Sequence, residues 1–322
     1  MKLSVIIALF NTEDYIEKCI RSVYDNSILD SKEFEIIVIN DGSTDNSRVI
    51  VEQLQKEYNN IILINKENEG QSSARNIGFK LAKGEYIFCL DSDDYVDSVN
   101  FFRALDFALE RDLDLLPIRF IKTSKEGDYI LESDNYEIVK DVISGVEFMN
   151  KFVISGSMAR YFYKTQIIKT YKLSLIEGIY HEDEEFVIKF LSYVNRISYN
   201  QLPTYYYYRR ETSTLNNNNI QHRKKLINDI IVVIESLTEL INKNLNNLDL
   251  INGIEKKKQQ LVLSIFLRMY REKFDKNLVN EIINKLKSKS LYPLKSHRLD
   301  WKKKIICKIL NINIILKIIY TY

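Results

Sequence analysis

The chain reads as an α/β protein: a mostly parallel, Rossmann-like sheet flanked by helices, followed by a helical C-terminal region. Two observations predict this. Through the first hundred or so residues, short apolar runs alternate with amphipathic helical patterns, the arrangement that builds βαβ units. Beyond about residue 219 the strand alternation stops and long Ile-, Leu-, Lys- and Asn-rich helical stretches follow.

Residues 3–10, 34–40, 61–65 and 85–90 are the strand candidates, three of them rich in β-branched side chains. Between them Ile16, Cys19, Ile20 and Val23 follow helical spacing, with Asn11 or Thr12 as the cap. Ala74, Ile77, Gly78 and Leu81 repeat that spacing, and Gly84 stands where a C-cap glycine belongs. Residues 98–215 are mixed, with a helix near 98–110, a strand near 113–121 and shorter elements after a polar loop. Residues 216–219 are an Asn-rich linker.

Composition narrows the function classes. The 322 residues suggest one large domain or two, and nine Gly with three Pro exclude collagenous or Pro-rich disordered chains. Cys19, Cys89 and Cys307 lie too far apart for a disulfide scaffold or a Cys-built zinc site. The N-terminus reads as a first strand rather than a secretion signal. No apolar run approaches the ~20 residues that span a bilayer. The expected location is therefore cytoplasmic, or peripheral on the cytoplasmic face of a membrane. Residues 1–150 carry 16 basic and 29 acidic side chains, whereas residues beyond 250 carry 17 basic and 5 acidic. An acidic half joined to a basic tail suggests a metal-using part and a part that faces anions.

In parallel sheets ligands bind outside the carboxyl ends of the strands. Four clusters stand there: Ala8-Leu9-Phe10-Asn11; Asp41-Gly42-Ser43-Thr44-Asp45; Asn68-Glu69-Gly70 leading to Arg75; and Asp91-Ser92-Asp93-Asp94. Singly each has a bland reading, as a turn, a helix cap or a solvated face. Together they describe a nucleoside-diphosphate pocket. Two carboxylates one residue apart suit Mg²⁺ or Mn²⁺ shared with phosphates. An Arg nearby neutralises phosphate, and a buried carboxylate such as Asp41 accepts from a base N–H. Gly-x-Gly-x-x-Gly and Gly-Lys-Ser/Thr loops are absent from the sequence, which removes the dinucleotide and P-loop readings.

The stretches SVIIALFN, EIIVINDGSTDNS, NEGQSSARNIGFKLAKGEY and IFCLDSDD resemble, in order and separation, the signatures of the family 2 glycosyltransferases of bacterial surface-polysaccharide type. The resemblance is close over about the first hundred residues and looser to about residue 215. It implies a GT-A fold, a nucleotide-sugar donor of the UDP-linked kind, a divalent cation and inversion at the anomeric carbon. It also implies a nucleotide-sugar-binding half at 1–97, an acceptor-binding half at 98–215 and a helical region at 216–322. Carried over by position, Asp41 reads the base, with Phe10 and Asn68 beside it and Ala8, Asn11, Gly70 and Ser92 lining the donor site. Asp91 approaches the ribose or metal, Asp93 ligates the metal and Arg75 meets the diphosphate. Where the family most often has Pro-x-Tyr-Asn this chain has Ala8-Leu9-Phe10-Asn11, so the ring is kept and the hydroxyl lost.

Glu182-Asp183-Glu184-Glu185 opens an amphipathic helix. Acids there are stabilised by the helix dipole, but four in succession also raise the pKa of at least one member. The stretch resembles the family's Glu-Asp motif, which implies Asp183 as general base and Glu182 as its companion, holding the acceptor or orienting the helix. His181 is a further metal-ligand candidate. The Tyr-rich segment ending in Arg209, Arg210, Ser213 and Thr214 resembles a segment that closes over the diphosphate.

Ile305, Ile309, Ile312, Leu316 and Ile319 form one helical stripe beside Lys302, Lys303, Lys304, Lys308 and Lys317, with Trp301 at its start. This fits an inner-membrane surface, the protein's own helices or a second subunit. The partners expected are a nucleotide-sugar donor and a saccharide or lipid-linked acceptor. A nucleotidyltransferase acting on sugar phosphates is the runner-up, but it lacks a Gly-rich basic loop after the first strand. Nucleic-acid binding is disfavoured by the acidic front half.

Overall fold

Strands buried on both faces lose the apolar-polar alternation of half-exposed ones. That is why 3–9 and 34–41, buried almost throughout, read as continuous apolar runs. The computed structural model describes residues 1–25, 28–123, 129–131, 141–208 and 219–312. It divides into two compact units, Met1–Asn219 and Ile220–Tyr322.

The first unit begins β1 (Leu3–Leu9), α1 (Ile16–Tyr24), β2 (Phe34–Asp41), α2 (Ser47–Glu57), β3 (Ile61–Lys66), α3 (Gln71–Leu81) and β4 (Tyr86–Cys89). It continues with β5 (Tyr95–Val96), α4 (Ser98–Glu110), β6 (Leu115–Pro117), β7 (Arg119–Thr123), β8 (Tyr129–Leu131), α5 (Gly145–Lys151), β9 (Tyr161–Lys164), α6 (Thr165–Thr170), α7 (Glu182–Leu191) and β10 (Pro203–Tyr208). The six-stranded sheet runs β3-β2-β1-β4-β9-β6, and a smaller sheet runs β5-β10-β7-β8. β1 to β4 pair in parallel, while β9 is antiparallel to both β4 and β6.

Register brings the site together. Leu9 pairs with Asn40, Asn40 with Asn65, and Asp41 with Lys66, while Ile6 pairs with Cys89 on the other side. The carboxyl ends of four strands, and the loops that leave them, therefore share one edge.

Three sequence expectations are corrected. The N-cap of α1 is Tyr15, without a side-chain cap bond, rather than Asn11 or Thr12. Asn11 takes a left-handed backbone at φ 49° and spends its side chain on another loop. The C-cap of α3 is Ala82, not Gly84. Gly84 is required because a Cβ there would lie 2.4 Å from the backbone of Leu3 and Ser4. The single strand expected near 113–121 is two strands in two sheets, β6 and β7. The break follows Pro117, and the next amide, Ile118 N, donates to Arg160 O at 2.9 Å.

The second unit contains α8 (Ile220–Asn242), α9 (Leu248–Arg271), α10 (Lys276–Ser288) and α11 (Trp301–Leu310). Its core is apolar, with Ile230, Ile234 and Leu237 of α8 and Ile254, Ile265 and Phe266 of α9 buried. No helix among the described residues is long and apolar enough to cross a membrane.

Candidate active site

The β1–α1 and β2–α2 loops are laced together by short polar side chains. Thr44 N donates to Asn11 Oδ1 at 2.8 Å, Thr12 N to Ser47 Oγ at 2.9 Å and Glu13 N to Asp45 Oδ2 at 3.0 Å. The Asp-Gly-Ser-Thr-Asp stretch is thus a fastening between loops. The cap position of α2, Asn46, makes no side-chain cap bond. Phe10 stays 47% exposed at the top of β1, a ring presented to solvent beside this lacing.

Asp41, at the end of β2, is 3% exposed. Its carboxylate accepts from Lys66 Nζ at 2.7 Å, Glu69 N at 3.0 Å and Gly70 N at 2.7 Å. It therefore holds the Asn68–Gly70 turn against the sheet. Gly42 (φ +74°) lets that turn approach, since a Cβ would meet Asn68 N at 2.9 Å. Asn68 itself is exposed at the rim.

The Asp91–Asp94 loop alternates in burial: Ser92 and Asp94 point inward, while Asp91 and Asp93 are half-buried. Asp94 accepts from Tyr205 Oη at 2.5 Å and Tyr208 N at 2.8 Å. Tyr205 Oη also receives Asp91 N at 3.4 Å, so β10 clamps the loop from behind. Burial, reinforced by the charges of Asp91 and Asp93, pushes the Asp94 carboxyl well above the usual range. The sequence places Asp94 in the Asp-rich cluster at this strand end, but nothing in that run distinguishes its inward side chain from those of its neighbours.

Arg75 of α3 is buried. Its Nη2 donates to Asp91 Oδ1 at 2.7 Å and its Nη1 reaches Glu182 Oε1 at 3.5 Å. Glu182, 1% exposed, also accepts from Gln71 Nε2 at 2.7 Å. Two α3 side chains thereby hold the first turn of α7. Asn76 adds a third tie to the segment before α7, donating to Leu175 O at 3.0 Å and Glu177 Oε1 at 2.9 Å. Asp183, next along α7, accepts from Glu184 N at 2.8 Å. Its burial, and then the charges of Glu184 and Glu182, push its carboxyl well above the usual range.

The structure therefore joins Asp91, Arg75 and Glu182 directly, with Asp183 adjoining, and groups Phe10, Asn11, Asp41, Asn68 and Gly70 around the β1 and β2 ends. Ala8 lies within β1, opposite Ile39 of β2. Arg209, Arg210, Ser213 and Thr214 lie outside the described residues. His181 takes the left-handed N-cap position of α7 at φ 67°. Among the described residues no cluster of three His, Cys, Asp or Glu side chains is poised to hold a metal. Sequence reading also missed a cavity of about 430 Å³ lined by Asp14, Tyr15, Lys18, Asp93, Asp94, Tyr95 and Tyr208. Its lining comes from α1 and the two residues before it, the Asp93–Asp94 loop, β5 and β10, a juxtaposition that spacing along the chain does not reveal.

The fold is the GT-A fold. A structure of S. aureus TarS residues 1–349 with UDP-GlcNAc superimposes with a TM-score of 0.65, at 23% identity, covering 84% of this chain and 73% of that one. The glycosyl transferase family 2 model matches residues 4–168, and the chain belongs to that family. Among relatives, the glycosyltransferase EpsJ of Bacillus subtilis is 32% identical over 200 residues, 61% of this chain and 57% of EpsJ. The poly(ribitol-phosphate) beta-glucosyltransferase of Bacillus spizizenii is 38% identical over 117 residues, 36% of this chain and 18% of that protein. The chain thus spans little more than half of the one relative and under a fifth of the other.

Proposed function

We propose that the chain is an inverting, metal-dependent glycosyltransferase. It would move a sugar from a nucleotide-sugar donor, most simply a UDP-sugar, to a saccharide or lipid-linked acceptor in cell-surface polysaccharide synthesis. The observation that carries this reading is the Arg75 tie: one buried guanidinium links the donor-side carboxylate Asp91 to the helix that bears Asp183. The names of the relatives, a poly(ribitol-phosphate) glucosyltransferase among them, support the substrate class.

The donor set fits a hard divalent cation such as Mn²⁺ or Mg²⁺. Asp91 and Asp93 offer carboxylate oxygens, and the nearby Cys19 thiol is held protonated by burial and by Asp94, Asp93 and Asp91. Two carboxylates leave coordination positions for diphosphate oxygens and water, as these ions favour. When bound, the cation would neutralise charge gathering on the leaving diphosphate. Arg75 keeps Asp91 oriented for that task through Nη2, a positional role added to the diphosphate contact that the resemblance implies for it.

Asp41 and Phe10 would hold the base and fix the donor in register. Asp183, with its raised pKa, would take the acceptor hydroxyl's proton as the oxygen attacks the anomeric carbon opposite the diphosphate. A base with a pKa moved toward neutrality is better matched to such a late proton transfer. The test is a screen of nucleotide sugars for hydrolysis and transfer. Turnover with one UDP-sugar, lost on chelation and restored by Mn²⁺ or Mg²⁺, is expected. Turnover indifferent to chelation would sink the metal-dependent reading.

A further inference from the structure

Helix α11 is amphipathic in an unusual sense, because its two apolar faces have different fates. Cys307 and Leu310 are buried in the second unit, and the helix end is fastened there by Asn311. Leu294 N donates to Asn311 Oδ1 at 2.7 Å, and Asn311 Nδ2 donates to Leu294 O at 3.0 Å. The opposite face carries Trp301, Ile305 and Ile309, which are 67%, 49% and 39% exposed, and Ile312, just past the helix end, is 49% exposed. Spaced by four residues each, the three helical side chains fall within one quarter of the helix circumference. Scattered apolar residues on a surface need no explanation, but an aligned set does.

The charge beside this stripe is of one sign. Lys302 lies on one flank and Lys304 and Lys308 on the other, and Lys302 Nζ sits 5.6 Å from the Trp301 ring centroid. From Trp301 to Ile312 the sequence contains four Lys and no Asp or Glu. The nearest acid, Asp300, is the N-cap, where it accepts from Lys303 N at 3.0 Å and pairs with Lys303 Nζ at 2.7 Å. A protein partner for the stripe would have to be both apolar and strongly acidic. A bilayer with anionic headgroups is both by construction, and lysines flanking an apolar stripe can extend to the headgroups while their stems stay against the acyl region.

We propose that the exposed face of α11 lies in the interface of an anionic lipid membrane, with Trp301 at the headgroup boundary and Ile305, Ile309 and Ile312 below it. The expectation of a membrane-facing stripe made from the sequence is thereby restricted to one face of one helix. Leu316, Lys317 and Ile319 lie outside the described residues and take no part in the inference. The surface does not depend on the chemistry proposed for the first unit.

Trp301 is the chain's one tryptophan, so its fluorescence reports on this face alone. With the full-length protein and vesicles of phosphatidylglycerol mixed with phosphatidylcholine, the emission should shift to the blue and brominated lipid should quench it. Pure phosphatidylcholine should give at least tenfold weaker partitioning, and raising the salt should weaken binding to the anionic vesicles. Replacing Lys302 and Lys308 with Gln should weaken partitioning by about fivefold each. The triple variant Ile305→Ser, Ile309→Ser, Ile312→Ser should cease to cosediment while its circular-dichroism melt is unchanged, because the substituted side chains are exposed. No spectral shift with anionic vesicles would overturn the proposal. So would a blue-shifted emission in free protein that vesicles leave unchanged, which would assign the face to the chain's own remaining residues. A shift produced by protein concentration without lipid would assign it to a second copy.

Discussion

Arg75 donates to Asp91 across 2.7 Å, and both residues lie at the junction between the sheet edge and α7. With Glu182 on its other nitrogen, the guanidinium is a buried bridge between carboxylates that lie far apart in sequence. Desolvation penalises all such charges, and only mutual pairing offsets it.

Arg75→Ala should therefore destabilise the first unit by ~3–5 kcal/mol, the cost of leaving a buried carboxylate uncompensated. The half-exposed Asp91 end moves the expectation toward the lower figure. Urea unfolding measures it. The double variant Arg75→Met, Glu182→Gln should lose less than the two single losses combined, as coupled partners do.

Asp93→Ala and Asp94→Ala should part company. Asp93 is half-buried at the loop surface, so its loss should abolish transfer and leave the melting temperature within ~2 °C. Asp94 holds Tyr205 and the Tyr208 amide, and leaving those donors unsatisfied should cost ~1–3 kcal/mol. Differential scanning calorimetry beside a transfer assay with Mn²⁺ tests both. An Asp93→Ala enzyme with wild-type turnover would refute the metal role.

Asp41→Ala should weaken UDP binding roughly tenfold or more, since a lost buried hydrogen bond costs ~1–3 kcal/mol. The turn at 68–70 should loosen as well, because the same carboxylate secures the Glu69 and Gly70 amides. Calorimetric titration with UDP reports the first effect and amide hydrogen exchange at Gly70 the second. Unchanged affinity would remove Asp41 from the donor site.

Asp183→Asn should lower turnover by ~10²–10⁴-fold while UDP affinity stays within about threefold. In the wild type, kcat/KM should fall as pH drops through a value above the ordinary carboxylate range of ~3.9, because the base must be ionised. Stability carries the opposite sign. A carboxyl whose folded pKa is raised contributes fully below its unfolded pKa and loses that contribution as pH rises through the folded value. Asp183→Asn should abolish that loss, which melting temperature against pH will reveal. An active Asp183→Asn beside a dead but folded Glu182→Gln would move the base one residue earlier.

The strand ends were legible because burial on both faces leaves uninterrupted apolar runs, and polar clusters must then mark where the strands stop. Arg75 was legible as a residue near the site but not as a bridge, since Glu182 stands 107 positions later and no periodicity connects them. The cap of α1 was misread for a related reason. Asn11 and Thr12 have the right chemistry, but the Asn11 side chain accepts from the Thr44 amide of a distant loop, and the Thr12 amide is tied to Ser47 Oγ at the start of α2. The doubled strand at 115–123 eluded the pattern because the apolar residues from Leu115 to Ile121 are interrupted only at Arg119, and Pro117 alone marks the crossing.

The order β3-β2-β1-β4-β9-β6 also has a consequence during synthesis. Strands β1 to β4 are consecutive and can pair as soon as they emerge, yet the free side of β4 is covered only by β9, which begins at Tyr161. At ~5–20 residues per second, that edge stays open on the nascent chain for roughly four to fourteen seconds. An apolar strand edge left unpaired is a template for association with other chains. The interval between Cys89 and Tyr161 is therefore where newly made molecules are most exposed to aggregation, and where slowed translation or lost chaperone protection should lower the yield of folded protein most.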